Sequence, residues 1–189
     1  MKPNQFLIHA AALLLASFAV AGAATAAKSD SCAHCHGTDG NSSSGLYPSL
    51  AGQTKEYLYR QIMAFKEGKR KNAMMSPSVG ILSEQDARDL AEYFSSQTML
   101  RGSFKPDPAL IAQGKKVAEE TQCAACHQVG FKGLNEIPRI ARQKHTYVIK
   151  QLKDYRDGAR VNDDGLMAAT VKTLTDEQIE ALGHYLSSL

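Results

Sequence analysis

The chain has 189 residues, 43% apolar and 22% charged, with 14 glycines, 6 prolines and no tryptophan. That composition belongs to a folded globular protein and excludes a disordered, collagenous or multi-span membrane chain. A formal net charge of +3 with acids mixed among the bases lacks the one-sided basic face of a duplex binder, so no nucleic-acid partner is expected.

Residues 1–27 read as a secretory signal. Lys2 is the only Lys or Arg and there is no acid; an apolar run from Phe6 to Val20 follows, then a small-residue tail, AGAATAA. The run is about 15 residues, short of the ~20 that a spanning helix needs. Three A-x-A frames permit cleavage as early as after Ala21. Export implies an oxidising compartment, where bare cysteine pairs tend to oxidise.

Four cysteines are too few for a disulfide-dense mini-domain, and all four fall in two pentamers, Cys32-Ala-His-Cys35-His36 and Cys123-Ala-Ala-Cys126-His127. Both are C-x-x-C-H, the attachment signature of c-type haem. Two thiols three residues apart reach the two vinyl groups of one porphyrin. The histidine next to the second thiol then lies under the ring and offers an imidazole nitrogen to iron. A four-cysteine zinc ribbon would place its pairs about 15–20 residues apart, whereas Cys35 and Cys123 are separated by 88. A thioredoxin-like pair or two local disulfides would leave both histidines unexplained. Two covalently bound haem c groups are therefore expected.

The chain repeats itself. A shift of 90 aligns Pro48-Ser-Leu-Ala-Gly-Gln53 with Pro138-Arg-Ile-Ala-Arg-Gln143, and also Tyr57 with Tyr147, Gln61 with Gln151, Gly68 with Gly158 and Arg70 with Arg160. Beyond Asn72 and Asn162 the shift becomes 92. We expect two related domains, 22–98 and 108–189, joined by a linker at 99–107. In the first, Leu58, Ile62 and Phe65 mark an amphipathic helix stopped by Gly68; Ser83-x-x-Asp86 opens another, with Ala87, Leu90, Ala91 and Phe94 on its apolar stripe. In the second, Asp107 and Pro108 begin a helix running through Ala118. Val148, Leu152 and Tyr155 with Gly158 repeat the amphipathic pattern, and Thr175-x-x-Gln178 opens the last helix, with Ile179, Leu182 and Leu186. No alternating strand competes. The fold class is all-α.

The sixth iron ligand decides whether the metal is open to small molecules or closed for electron transfer. Met75 lies seven residues before Leu82 and Met167 seven before Leu174, so the two are repeat equivalents. Met74 pairs with Leu166, which cannot bind iron; Met63 pairs with Lys153 and Met99 falls in the linker, and both read as packing residues. His34 is matched by Ala125. His145 and His184 are matched by Lys55 and Glu92; surface roles are favoured for them, and they stand as bis-histidine alternatives to the methionines. Pro48 and Pro138 follow their motif histidines by 12 and 11 residues, and each is suited to aim a backbone carbonyl at the imidazole. Lys132 to Arg160 holds 8 bases against 3 acids, a candidate docking face for which a solvated helix surface is the plainer reading.

These motifs, the Pro-x-Leu/Ile-Ala-x-Gln stretch, the Gln-x-x-x-Phe/Tyr-x-x-Gly helix and the LSEQDARDLAEYFSSQ segment together resemble the dihaem cytochrome c4 family over nearly the whole mature chain. The resemblance implies two tandem class I cytochrome c domains, each a few short helices around one haem. It implies that Cys32, Cys35, Cys123 and Cys126 hold the haems, with His36/Met75 and His127/Met167 as axial pairs. It further implies a non-enzymatic periplasmic carrier that takes electrons from a quinol-oxidising complex or other donor to a terminal haem-copper oxidase, with loose membrane association. A second expectation is the electron-accepting cytochrome subunit of a dehydrogenase, such as a flavocytochrome sulfide dehydrogenase. A third, a dihaem peroxidase, needs one open or displaceable iron ligand.

Overall fold

A computed structural model describes residues 29–162 and 164–189. The expected secretory segment at 1–27 lies outside them. In the first half the chain is helical over 29–36 (α1), Lys55–Lys66 (α2), Met75–Gly80 (α3) and Glu84–Ser96 (α4). In the second half, Pro108–Glu120 (α5), Cys123–His127 (α6), His145–Arg156 (α7), Leu166–Val171 (α8) and Asp176–Ser188 (α9) follow, with a single 3-10 turn at Val129–Phe131. The only strand-like pairing among the described residues is the isolated bridge between Leu134 and Ile137.

Local chemistry fixes the helix ends. Ser83 Oγ accepts from the Asp86 N–H while Asp86 Oδ2 accepts from the Ser83 N–H, closing the capping box in both directions. Thr175 and Gln178 do the same at the start of α9. Each such cap is worth ~1 kcal/mol. Asp107 caps α5 through the Ala109 N–H, with Pro108 at the first helical position, where a missing N–H costs nothing. At the other ends, Gly68 and Gly158 turn the chain out of α2 and α7 with φ of +72° and +77°.

Each half buries its own apolar stripe. Leu58, Leu90, Ala91 and Phe94 form the first core, with α2 packed on α4. Val117, Phe131, Val148, Ile179, Leu182 and Leu186 are central to the second, where α9 packs against both α5 and α7. The α5–α9 crossing is close because of Gly114: a Cβ there would lie 2.0 Å from the Ala181 carbonyl oxygen.

The halves join through residues that the repeat had paired. Gln53 Nε2 donates to the Arg139 carbonyl and its Oε1 accepts from the Arg139 N–H, at 2.9 and 2.7 Å. Gln143, its repeat equivalent, makes the same two bonds to Ser49 at 3.0 and 2.8 Å. Further along, Arg70 donates to Tyr147 Oη and to Gln151 Oε1, and Arg160 donates to Tyr57 Oη and to Gln61 Oε1. Residue i contacts j′ while j contacts i′, the pattern of a two-fold dimer interface built within one chain. Burial disfavours the Arg160 charge, but the surrounding Tyr57, Tyr147 and Tyr155 hydroxyls outweigh it and hold the guanidinium above its usual range.

Candidate haem-binding sites

Cys32, Cys35 and His36 lie on α1, and Cys123, Cys126 and His127 span the whole of α6. No disulfide links the four cysteines, so the thiols stand available for addition to vinyl groups. Burial pushes the Cys32 and Cys123 thiols above their ordinary pKa. Cys32 packs against the first core, and Cys123 against the second.

Both motif histidines are buried, His36 to 5% exposure and His127 to 6%. His36 Nδ1 donates to the Pro48 carbonyl at 2.8 Å, and His127 Nδ1 to the Pro138 carbonyl at 2.8 Å. The prolines thus do what their spacing suggested. Burial lowers both imidazole pKa values against a smaller opposing pull from those carbonyls, which favours neutral rings. With Nδ1 carrying the proton, Nε2 keeps its lone pair. In His36 that atom is buried with no hydrogen-bond partner. A buried, unpartnered nitrogen beside two thiols on one helical turn fits covalent haem with imidazole ligation, since burying a polar atom without a partner is otherwise costly.

The methionines differ in exposure. Met74 is 60% exposed, as is its equivalent Leu166, whereas Met75 and Met167 are partly buried. Met75 is the first residue of α3, which packs on α2; Asn72 Oδ1 accepts from the N–H groups of Met74 and Met75 and so starts the helix. Met167 stands on α8 and packs against the same core as Cys123. Asp164 performs the Asn72 role there, accepting from the Leu166 N–H.

The remaining histidines behave differently from expectation in one respect. His34 is exposed. The side chains of His145 and His184 retain only 14% and 12% exposure, so they are not surface groups. Phe104 of the linker stacks on the His145 ring at 4.1 Å, and His145 Nε2 lies 3.0 Å from Glu180 Oε1. His145, Glu180 and His184 are close enough to suggest a cation site. However, His184 Nδ1 accepts from the Asp107 N–H, leaving the ring proton on Nε2, the atom that faces Glu180. A metal-bound imidazole donates from its other nitrogen, so this tautomer is not that of a ligand.

The sequence reading missed the structural work of Gln53, Gln143, Arg70 and Arg160. Their signal was available: large polar side chains repeated in register, outside both haem motifs, in halves that must meet.

Two helical domains, each presenting a C-x-x-C-H helix whose histidine is oriented by a proline carbonyl, define a c-type cytochrome with one haem in each half. The cytochrome c family model matches the chain twice, at residues 19–98 and 111–189. The chain is 39% identical over 186 residues to cytochrome c4 of Pseudomonas aeruginosa, covering 93% of this chain and 92% of that one. A protein of Thiomonas intermedia described as a thiosulfate dehydrogenase electron acceptor is 36% identical, covering 96% of this chain and 90% of its own. The crystal structure of reduced recombinant cytochrome c4 from Pseudomonas stutzeri superimposes with a TM-score of 0.82 at 35% identity, over 88% of this chain and 97% of that one. The chain belongs to the cytochrome c4 family. It carries two covalently bound haem c groups, and its chemistry is electron transfer.

Proposed function

We propose that this is a periplasmic dihaem shuttle with both irons closed by protein ligands. Cys32 and Cys35 bind one haem and Cys123 and Cys126 the other, with His36/Met75 and His127/Met167 as the axial pairs. The two domains are assigned to 22–98 and 108–189, joined by 99–107, with the secretory segment cleaved as early as after Ala21. Electrons arrive from a quinol-oxidising complex or a comparable donor and leave to a terminal haem-copper oxidase.

The observation that carries this reading is the buried, unpartnered His36 Nε2 on a ring whose Nδ1 is tied to Pro48, with the same proline tether on His127. Haem iron supplies a one-electron couple, and a thioether opposite imidazole raises its potential relative to two imidazoles. The protein's part is to hold the rings still, keep water away and present docking surface. Among the described residues no helix is long and apolar enough to cross a membrane.

Mixing the ferrous protein with membranes containing a haem-copper oxidase tests the reading. Rapid reoxidation that slows with added salt supports it, because steered association is ionic-strength dependent. No reoxidation above the autoxidation rate refutes it.

A second reading, favoured by the Thiomonas intermedia relative, is that the donor is a dehydrogenase for which this chain is the acceptor. Stable co-purification with a dehydrogenase or flavoprotein, and faster reduction by that enzyme than by quinol, would select this reading.

A further inference from the structure

We propose that Gln53 and Gln143 are positioning residues that tie each haem's imidazole to the opposite domain, so that each half helps set the other's reduction potential. The inference rests on His36 and His127 being the iron ligands.

The connection runs through one peptide unit on each side. The Pro48 carbonyl, which accepts from His36 Nδ1 at 2.8 Å, shares its peptide plane with the Ser49 N–H. That N–H donates at 2.8 Å to Oε1 of Gln143, in the other half. The mirror arrangement has the Pro138 carbonyl accepting from His127 Nδ1 at 2.8 Å and the Arg139 N–H donating at 2.7 Å to Gln53 Oε1. Each glutamine is clamped by a second bond, Gln143 Nε2 to the Ser49 carbonyl and Gln53 Nε2 to the Arg139 carbonyl. All four residues are buried, Ser49 to 1%, Gln53 to 4%, Gln143 to 6% and Arg139 to 8% exposure.

A peptide hydrogen-bonded at both ends in a dry environment is polarised at both. Donation from the Ser49 N–H to Gln143 places more negative charge on the Pro48 oxygen, which then draws the His36 Nδ1 proton more strongly. A ligating imidazole whose far N–H is held by a better acceptor is a more basic ligand, and a more basic ligand favours ferric iron. The glutamine of one half therefore lowers the potential of the haem in the other. Opening the interface would release both haems upward together.

The test uses the full holoprotein carrying Gln143→Leu or Gln53→Leu. Two quantities are followed: a potentiometric titration resolved by haem, and the His36 and His127 Nδ1–H resonances and their hydrogen exchange in the ferrous protein. Gln143→Leu should raise the reduction equilibrium constant of the first haem about two- to fivefold, the scale of one weakened hydrogen bond, and speed exchange at His36 Nδ1. The second haem should move much less. Gln53→Leu should do the converse. Arg70→Gln, which disturbs the interface without touching either peptide, should leave the crossed pattern absent. Gln143→Asn and Gln53→Asn, which withdraw the acceptor but keep an amide, serve where a leucine variant does not retain haem. A shift confined to the mutated residue's own half, an equal shift at both haems, or none overturns the proposal. The ligand reading fails separately, on the parent protein, if its ferrous spectra show no imidazole shifted by a porphyrin ring current at either site.

Discussion

After the first motif, the chain turns at Gly40, φ +79°, whose carbonyl accepts from the N–H groups of Leu50 and Ala51 at 2.7 and 3.2 Å. After the second, Phe131 takes that place at φ +56° and accepts from Ile140 and Ala141 at 3.0 and 3.2 Å. The backbone is the same, but the filling is exchanged. A Cβ on Gly40 would meet Phe94 Cδ1 at 2.8 Å. In the second half Leu186 stands at the Phe94 position, and the ring comes from Phe131 instead. In both halves the ring lies edge-on to an equivalent tyrosine, Phe94 to Tyr93 at 5.1 Å and Phe131 to Tyr185 at 5.8 Å. The two domains thus share backbone hydrogen bonds and an edge-on ring rather than particular side chains. Phe131 accepts a backbone conformation unfavourable to a side chain because its burial repays that cost.

A second exchange lies where α7 and α9 meet the linker. The first half holds Lys55 against Glu92, a 2.5 Å pair with both side chains more than half exposed. The second half uses their equivalents, His145 and His184, at 4.5 Å between ring centroids and covered by Phe104. An exposed ion pair contributes about 0–1 kcal/mol. The histidine pair instead ties the linker to the second core and adds a titrating group there.

These differences can be broken one half at a time. The largest effect should come from Phe131→Ala, which empties a buried ring position. The second domain should lose ~3–5 kcal/mol in denaturant unfolding followed at its own haem, with the first domain unaltered. Gly40→Ala should cost the first domain ~1–3 kcal/mol, from backbone strain at positive φ and from contact with Ala51 N at 2.7 Å. Ser83→Ala and Thr175→Ala should each remove ~1 kcal/mol from their own half, a matched pair that checks whether the two units unfold separately.

Acidification is the mildest probe. Burial lowers the His145 pKa, against a partial offset from Glu180, while His184 adds to the lowering. The unfolded chain therefore takes up this proton first, and stability from this group is full above the unfolded value of 6.5 and is lost as pH falls below it. The second domain's melting temperature should drop between pH 7 and pH 5, and His145→Gln should flatten that response. The Lys55 side should stay level, because Glu92 raises the Lys55 pKa still further above this window.

Much of this was legible in the residues. The two pentamers, the shift of 90, both capping boxes and the register that separates Met75 from Met74 depend on local rules or on comparison within the chain. What was not legible depends on contacts between segments distant in sequence. Helices α3 and α8 are six residues each with one buried side chain, Val79 or Val171, too short for periodicity to reveal. His145 and His184 looked like surface residues because nothing local indicates that Phe104 folds back over them. The interface glutamines registered as repeat markers, since a buried polar pair is recognisable only once its partner's position is known.

The central claim is that each iron is closed by sulfur opposite imidazole, and near-infrared spectra of Met75→Leu and Met167→Leu address it most directly. Each single variant should lose about half of the ferric methionine–iron charge-transfer band and gain carbon monoxide binding at one ferrous haem; the double variant should lose the band entirely. A band that survives both substitutions unchanged would contradict the account.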